Sequence, residues 1–158
     1  WQTRKYDFAF ASSCCNREIK NINFFIDIIN NNEFSNKNKI IIDKNLNKYT
    51  NIDNCTCLDI LNHDTLMQKL KDVKLVIISS YYESLSNFMI EALNSGCNIL
   101  ISDTIGGSEF IIDECVCQTK LEFIEKANIL LQNQVRCIKP GFNYTEEMLL
   151  SDLMLIIS

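Results

Sequence analysis

Two carboxylates eight positions apart, Glu83 and Glu91, bracket the run Ser84-Leu85-Ser86-Asn87-Phe88-Met89-Ile90. Each carboxylate oxygen accepts hydrogen bonds, so such a pair suits a ligand rich in hydroxyls. The run between them reads as a loop entering a helix, with Ser86, Asn87 and Phe88 at the helix start. Unpaired N–H groups at a helix N-terminus suit a phosphate or diphosphate. A second pattern is Gly106-Gly107, inside Ser102-Asp103-Thr104-Ile105-Gly106-Gly107-Ser108-Glu109. Glycine has no Cβ, so a pair of them lets the backbone pass close to a ligand. A third is Arg17 with Lys20, cations placed to neutralise a phosphate. The single histidine, His63, stands where it can approach the base of a nucleotide. Taken singly, these patterns equally fit solvated charges, a tight turn and a surface residue at a helix start.

Strands and helices must alternate to bring these residues together. Apolar, strand-like runs occur at 6–12, 39–43, 55–60, 73–79, 97–102 and 114–117. Helical spacing of apolar residues occurs at 20–30, 63–71, 87–94, 121–131 and 146–155. The helix over 87–94 is expected to stop at Ser95-Gly96, where glycine takes the left-handed C-terminal position. This alternation predicts an α/β fold: a three-layer, Rossmann-like domain whose mostly parallel sheet has about six strands. Near-continuous apolar runs fit strands covered on both faces. In such folds ligands bind outside the carboxyl ends of the strands. The segments 12–20, 59–63, 79–87 and 103–109 lie at those ends and are rich in small and polar residues.

Composition narrows the function classes. The chain has 158 residues, 47% hydrophobic and 22% charged, which suits one domain, 1–158, with a real core. It opens at Trp1 rather than Met, so we expect a piece excised from a longer protein. The net charge of −5, without clustered Lys and Arg, argues against nucleic acid as a partner. No apolar stretch reaches the length of a transmembrane segment and no signal peptide is visible, so the expected location is cytoplasmic. The eight cysteines include no C-x-x-C pair, and they are expected to be buried, reduced thiols rather than metal ligands. The G-x-G-x-x-G, P-loop, G-x-S-x-G and H-E-x-x-H motifs are all missing, which argues against dehydrogenase, NTPase, esterase and zinc protease chemistry.

The stretch from Asp72 to Ile112 resembles the donor-binding segment of family 4 glycosyltransferases of the GT-B fold. Those enzymes carry a Glu, seven residues and a second Glu, as in Glu83 to Glu91 here. A small-residue-Gly turn and strand follow, matched by Asn94-Ser95-Gly96-Cys97-Asn98-Ile99-Leu100-Ile101, then an Asp and a Gly-Gly turn with Glu, matched by Asp103 to Glu109. The resemblance implies the C-terminal half of a retaining glycosyltransferase. It implies a nucleotide-diphosphate sugar, UDP- or GDP-linked, as donor, no cofactor and no metal. The acceptor, a glycan, lipid or protein, would be held by an absent N-terminal domain. By the same resemblance Glu83 binds hydroxyls of the donor sugar, Glu91 holds the ribose, and the amides around Ser86, Asn87 and Phe88 cradle the diphosphate. Lys20 corresponds to the family Lys that stabilises the leaving phosphate. The family Gly-Arg after the first strand is replaced by Cys14-Cys15, with Arg17 nearby. That departure keeps open a second expectation, a non-catalytic nucleotide-sugar-binding or interaction domain. A nucleotide-sugar epimerase of the same shape would want more acid/base groups than this chain offers.

Overall fold

Parallel strands cannot be joined by tight turns; each pair needs a crossover, usually a helix. The computed structural model describes residues 1–12, 18–44, 46–49 and 51–140. The expected helix over 146–155, Arg17 and the Cys14-Cys15 pair lie outside them. The strands are β1 (Tyr6–Ala11), β2 (Lys39–Ile42), β3 (Cys55–Leu58), β4 (Val73–Ile78), β5 (Asn98–Ser102) and β6 (Val116–Cys117). The helices are α1 (Ile22–Ile29), α2 (His63–Leu70), α3 (Asn87–Asn94) and α4 (Lys120–Leu130). The six strands pair in the order β3-β2-β1-β4-β5-β6, and every pairing is parallel. This is the doubly wound arrangement, in which the direction of winding reverses between β1 and β4. Helices α1 and α4 pack together on one face of the sheet, and α2 and α3 on the other. The architecture is the α/β, three-layer, Rossmann-like one expected.

Burial explains the continuous apolar strands. In β2 and β5 every residue is buried or nearly so, and β4 is buried at all but Lys74. Ring contacts fix the layer over β1: Phe10 lies 5.4 Å from Phe25 of α1, and Phe8 meets Phe34 edge-on at 4.9 Å. Phe24 of α1 meets Phe123 of α4 at 5.2 Å, locking those two helices. Each fully buried Phe or Ile contributes about 1.5 to 3 kcal/mol. Cys97, Cys115, Cys117 and Cys137 are buried in this core, as small apolar side chains would be. Desolvation pushes the Cys97 thiol up to about 11 and the Cys117 thiol up to about 12, so both keep their protons.

Two elements differ from the sequence pattern for local reasons. The helix expected over 20–30 begins at Ile22, because Glu18–Lys20 forms a separate 3-10 turn and Asn21 then adopts the left-handed conformation (φ 49°). Asparagine is among the few residues that tolerate it. The last strand shrinks to Val116–Cys117 because Asp113–Cys115 winds into a 3-10 turn that buries Cys115.

One buried polar side chain ties the sheet to α4. Asn98 opens β5 with no exposed surface, donates from Nδ2 to the carbonyls of Leu130 (2.6 Å) and Asn133 (2.7 Å), and accepts from the Val135 N–H (2.9 Å). Replacing it by alanine leaves those three backbone groups without partners, and a buried unsatisfied group costs about 1 to 3 kcal/mol. We expect Asn98→Ala to lower the unfolding free energy by about 2 to 4 kcal/mol in urea titration. An unchanged midpoint would mean that water replaces the amide.

Candidate functional site

The carboxyl ends of β1 and β4 lie side by side because the two strands pair directly, Phe8 opposite Leu75 and Ala9 opposite Val76. Their crossovers leave in opposite directions, so a crevice opens between the two loops. Three contacts bridge those loops. Ser79 Oγ donates to the Lys20 carbonyl at 2.8 Å, and the Tyr81 N–H donates to the Ile19 carbonyl at 2.8 Å. Lys20 Nζ meets Glu83 Oε1 at 2.5 Å. Above this seam lies a cleft of about 580 Å³. Its walls include Lys20, His63, Glu83, Asn87, Phe88 and Glu91, so chain segments far apart in sequence converge on one space.

Each side chain is placed by a definite local device. The 3-10 turn and left-handed Asn21 stop α1 from absorbing Lys20, which therefore reaches across to Glu83 rather than along the helix. Glu83 is held at both oxygens, Oε1 by Lys20 and Oε2 by the Ser80 hydroxyl at 2.9 Å. The Lys20 and Glu83 side chains are only 18% and 16% exposed, so this pair is screened less than a surface one. Glu91, the fifth residue of α3, faces the cleft and lies 3.1 Å from His63 Nδ1. His63 opens α2, which Asn62 caps by accepting from the Thr65 N–H.

The start of α3 divides its work between structure and cleft. Ser86 is buried and spends its hydroxyl on the Met89 N–H at 3.3 Å, capping the helix from below the cleft. The residues that reach the cleft wall are Asn87 and Phe88. Their amide N–H groups have no partner among the described residues. Two free N–H groups at the positive end of a helix dipole, with Lys20 across the gap, form an anion-binding arrangement. Among the described residues no group of three or more His, Cys, Asp or Glu side chains could hold a metal ion. No described helix is long and apolar enough to cross a membrane.

The glycine pair supports the loop that carries Glu83. Neither Gly106 nor Gly107 lines the cleft. The close neighbour of Gly106 is protein: a Cβ there would sit 1.8 Å from the Ser84 carbonyl oxygen. The Gly106 N–H donates to the Glu83 carbonyl at 2.8 Å. Gly107 takes φ 93° and packs against Leu85 and Met89. The turn after β5 thus props the loop that carries Glu83 from behind. The Ser80 hydroxyl on Glu83 and the His63–Glu91 contact were not anticipated from sequence. A serine three residues before a glutamate is too common to single out, and His63 and Glu91 are 28 residues apart.

No protein-family model and no curated protein sequence matches the chain. Solved structures do. A TarM mutant from S. aureus, in complex with Fondaparinux, alpha-GlcNAc-glycerol and UDP, is similar over 99% of this chain and 36% of its own, at 18% identity and TM-score 0.68. Sucrose-phosphate synthase from Thermosynechococcus elongatus is similar over 98% of this chain and 47% of its own, at 16% identity and TM-score 0.68. WaaG, a glycosyltransferase involved in lipopolysaccharide biosynthesis, is similar over 81% and 38%, at 13% identity and TM-score 0.63. The fold is the Rossmann-like one of GT-B glycosyltransferase C-terminal domains. At these identities the likeness is one of backbone architecture, and the chain spans less than half the length of each of the three proteins.

The glycine prop is directly testable. Gly106→Ala forces a methyl group into the Ser84 carbonyl, an overpacking that costs about 1 to 3 kcal/mol. Its unfolding midpoint should fall accordingly, and amide NMR shifts should concentrate in residues 83–85. Shifts confined to the Gly106 turn would show that the Glu83 loop does not lean on it.

Proposed function

We propose that this chain is the donor-binding domain of a retaining glycosyltransferase, taking a UDP- or GDP-sugar and working with an N-terminal acceptor-binding domain in a longer cytoplasmic protein. One observation carries the reading: Lys20, Glu83, Glu91 and the free amides of Asn87 and Phe88 share one cleft at the β1/β4 switch point of a GT-B-type fold. Glycosyltransferase neighbours, one of them in complex with UDP, support it.

In this reading the chain's own groups divide the donor between them. Glu91 accepts hydrogen bonds from the ribose hydroxyls. The Asn87 and Phe88 amides and the Lys20 ammonium meet the diphosphate, and Lys20 stabilises charge as it develops on the leaving group. Lys20 and Glu83 hold each other across the cleft, so a diphosphate that draws Lys20 away also frees Glu83 Oε1 for a sugar hydroxyl. Partner exchange thereby couples the two ends of the donor. Buried Ser86 acts as the cap that keeps the amides in place, and Arg17 is a further candidate for the diphosphate. The glycine turn serves by supporting Glu83.

A second reading, a binding domain without turnover, is favoured by Cys14-Cys15 standing where the family carries Gly-Arg. Losing one phosphate cation removes about 2 to 4 kcal/mol of transition-state stabilisation. Calorimetric titration with UDP-glucose, UDP-GlcNAc and GDP-mannose, followed by an assay for donor hydrolysis, separates the two. Binding with slow hydrolysis supports the enzyme, binding with none supports the binding domain, and no binding removes both. Glu91→Ala should weaken UDP or GDP about tenfold to a hundredfold, the loss of charged hydrogen bonds to a diol; equal affinity would refute the ribose role. Glu83→Ala should weaken the nucleotide sugar but leave UDP binding at least as strong, since it releases Lys20.

A further inference from the structure

His63 is the chain's only histidine, and the donor-binding scheme gives it no task. It opens α2 and lines the cleft beside α3. Its Nδ1 lies 3.1 Å from Glu91 Oε1, and its side chain is 59% exposed against 21% for Glu91. Packing therefore does not force the ring into this position. A carboxylate on Nδ1 sets the tautomer and orientation of an imidazole. The contact engages one oxygen of Glu91, and Oε2 has no partner among the described residues.

We propose that His63 is a positioning residue for the nucleotide: it holds Glu91 by Oε1 so that Oε2 remains for the ribose, and its protonation strengthens binding of a nucleoside-diphosphate sugar. This rests on the donor-binding reading of the same cleft. The charged and titratable groups that share its cleft are Glu91 from α3, Lys20 from the turn before α1, and Glu83 and Tyr82 from the loop after β4, with Asp64 next to it on α2. Lys20 and Glu83 cancel as a pair, which leaves Glu91 as the uncompensated charge on the cleft wall. A proton on His63 balances it and removes a repulsion felt by the incoming diphosphate. A bound dianion favours the charged ring, so binding is stronger with His63 protonated and weakens as pH rises.

The test is calorimetric titration of the 158-residue chain with UDP-glucose and GDP-mannose at about pH 8 and about pH 5.5, which bracket histidine titration. Nucleotide sugars are preferable to UDP, because their doubly substituted diphosphate does not change charge in this range. Wild type should bind about threefold to fivefold more tightly at the lower pH, the scale of an exposed charge pair. His63→Asn keeps an N–H donor near the Nδ1 position, so it should retain the high-pH affinity and lose the pH response. His63→Ala should bind more weakly than His63→Asn at both pH values and also lose the response. Circular dichroism checks that both variants are folded. A wild type that binds with no pH response, or a His63→Ala profile that parallels wild type, overturns this proposal alone. A His63→Asn variant as weak as His63→Ala at high pH overturns the positioning role. A wild type that binds neither sugar nucleotide at either pH overturns the donor-binding reading and this inference with it.

Discussion

Direct parallel pairing of β1 with β4 is the constraint on which the rest of the molecule depends. It puts two carboxyl ends side by side while their crossovers leave in opposite directions, α1 toward β2 and α3 toward β5. The gap between them is a geometric consequence of that reversal. The contacts from Ser79 and Tyr81 to the 18–20 turn tie the two loops together at the base of the gap. Without this register, Lys20 and Glu83 would have no reason to meet.

Within the gap each carboxylate already has at least one partner. Glu83 has a cation on one oxygen and a hydroxyl on the other, and Glu91 has an imidazole on one. Partly buried carboxylates need such partners, because an unpaired charge in a low-dielectric site is costly. A ligand entering here exchanges partners with groups that are already placed. Among the described residues, Glu91 Oε2 and the Asn87 and Phe88 amides have no hydrogen-bond partner, the amides as the first N–H groups of a helix.

Some of this was legible in the chain and some was not, for identifiable reasons. Helix α3 was readable end to end, since Ser86 is a strong cap and Gly96, at φ 71°, closes the other end. Glycines 106 and 107 were readable as a place where backbone comes close to something. That the backbone close to Gly106 is Ser84 depends on a neighbour 22 positions earlier. Lys20 was legible as a cation near a strand end but not as a residue outside the helix, because Asn21 in the left-handed conformation leaves no trace in apolar spacing.

Local interactions decide strand and helix, so periodicity and caps in the sequence determined by themselves the alternating elements, the parallel sheet and the rim on which polar residues gather. They also marked Glu83, Glu91, Lys20 and the start of α3 as candidates. Which of these touch was decided only by the tertiary structure. Lys20 and Glu83 stand 63 residues apart, and His63 and Glu91 stand 28 apart. Contacts at such separations follow from strand order, register and crossover direction, quantities that belong to the packed sheet as a whole and to no single stretch of chain.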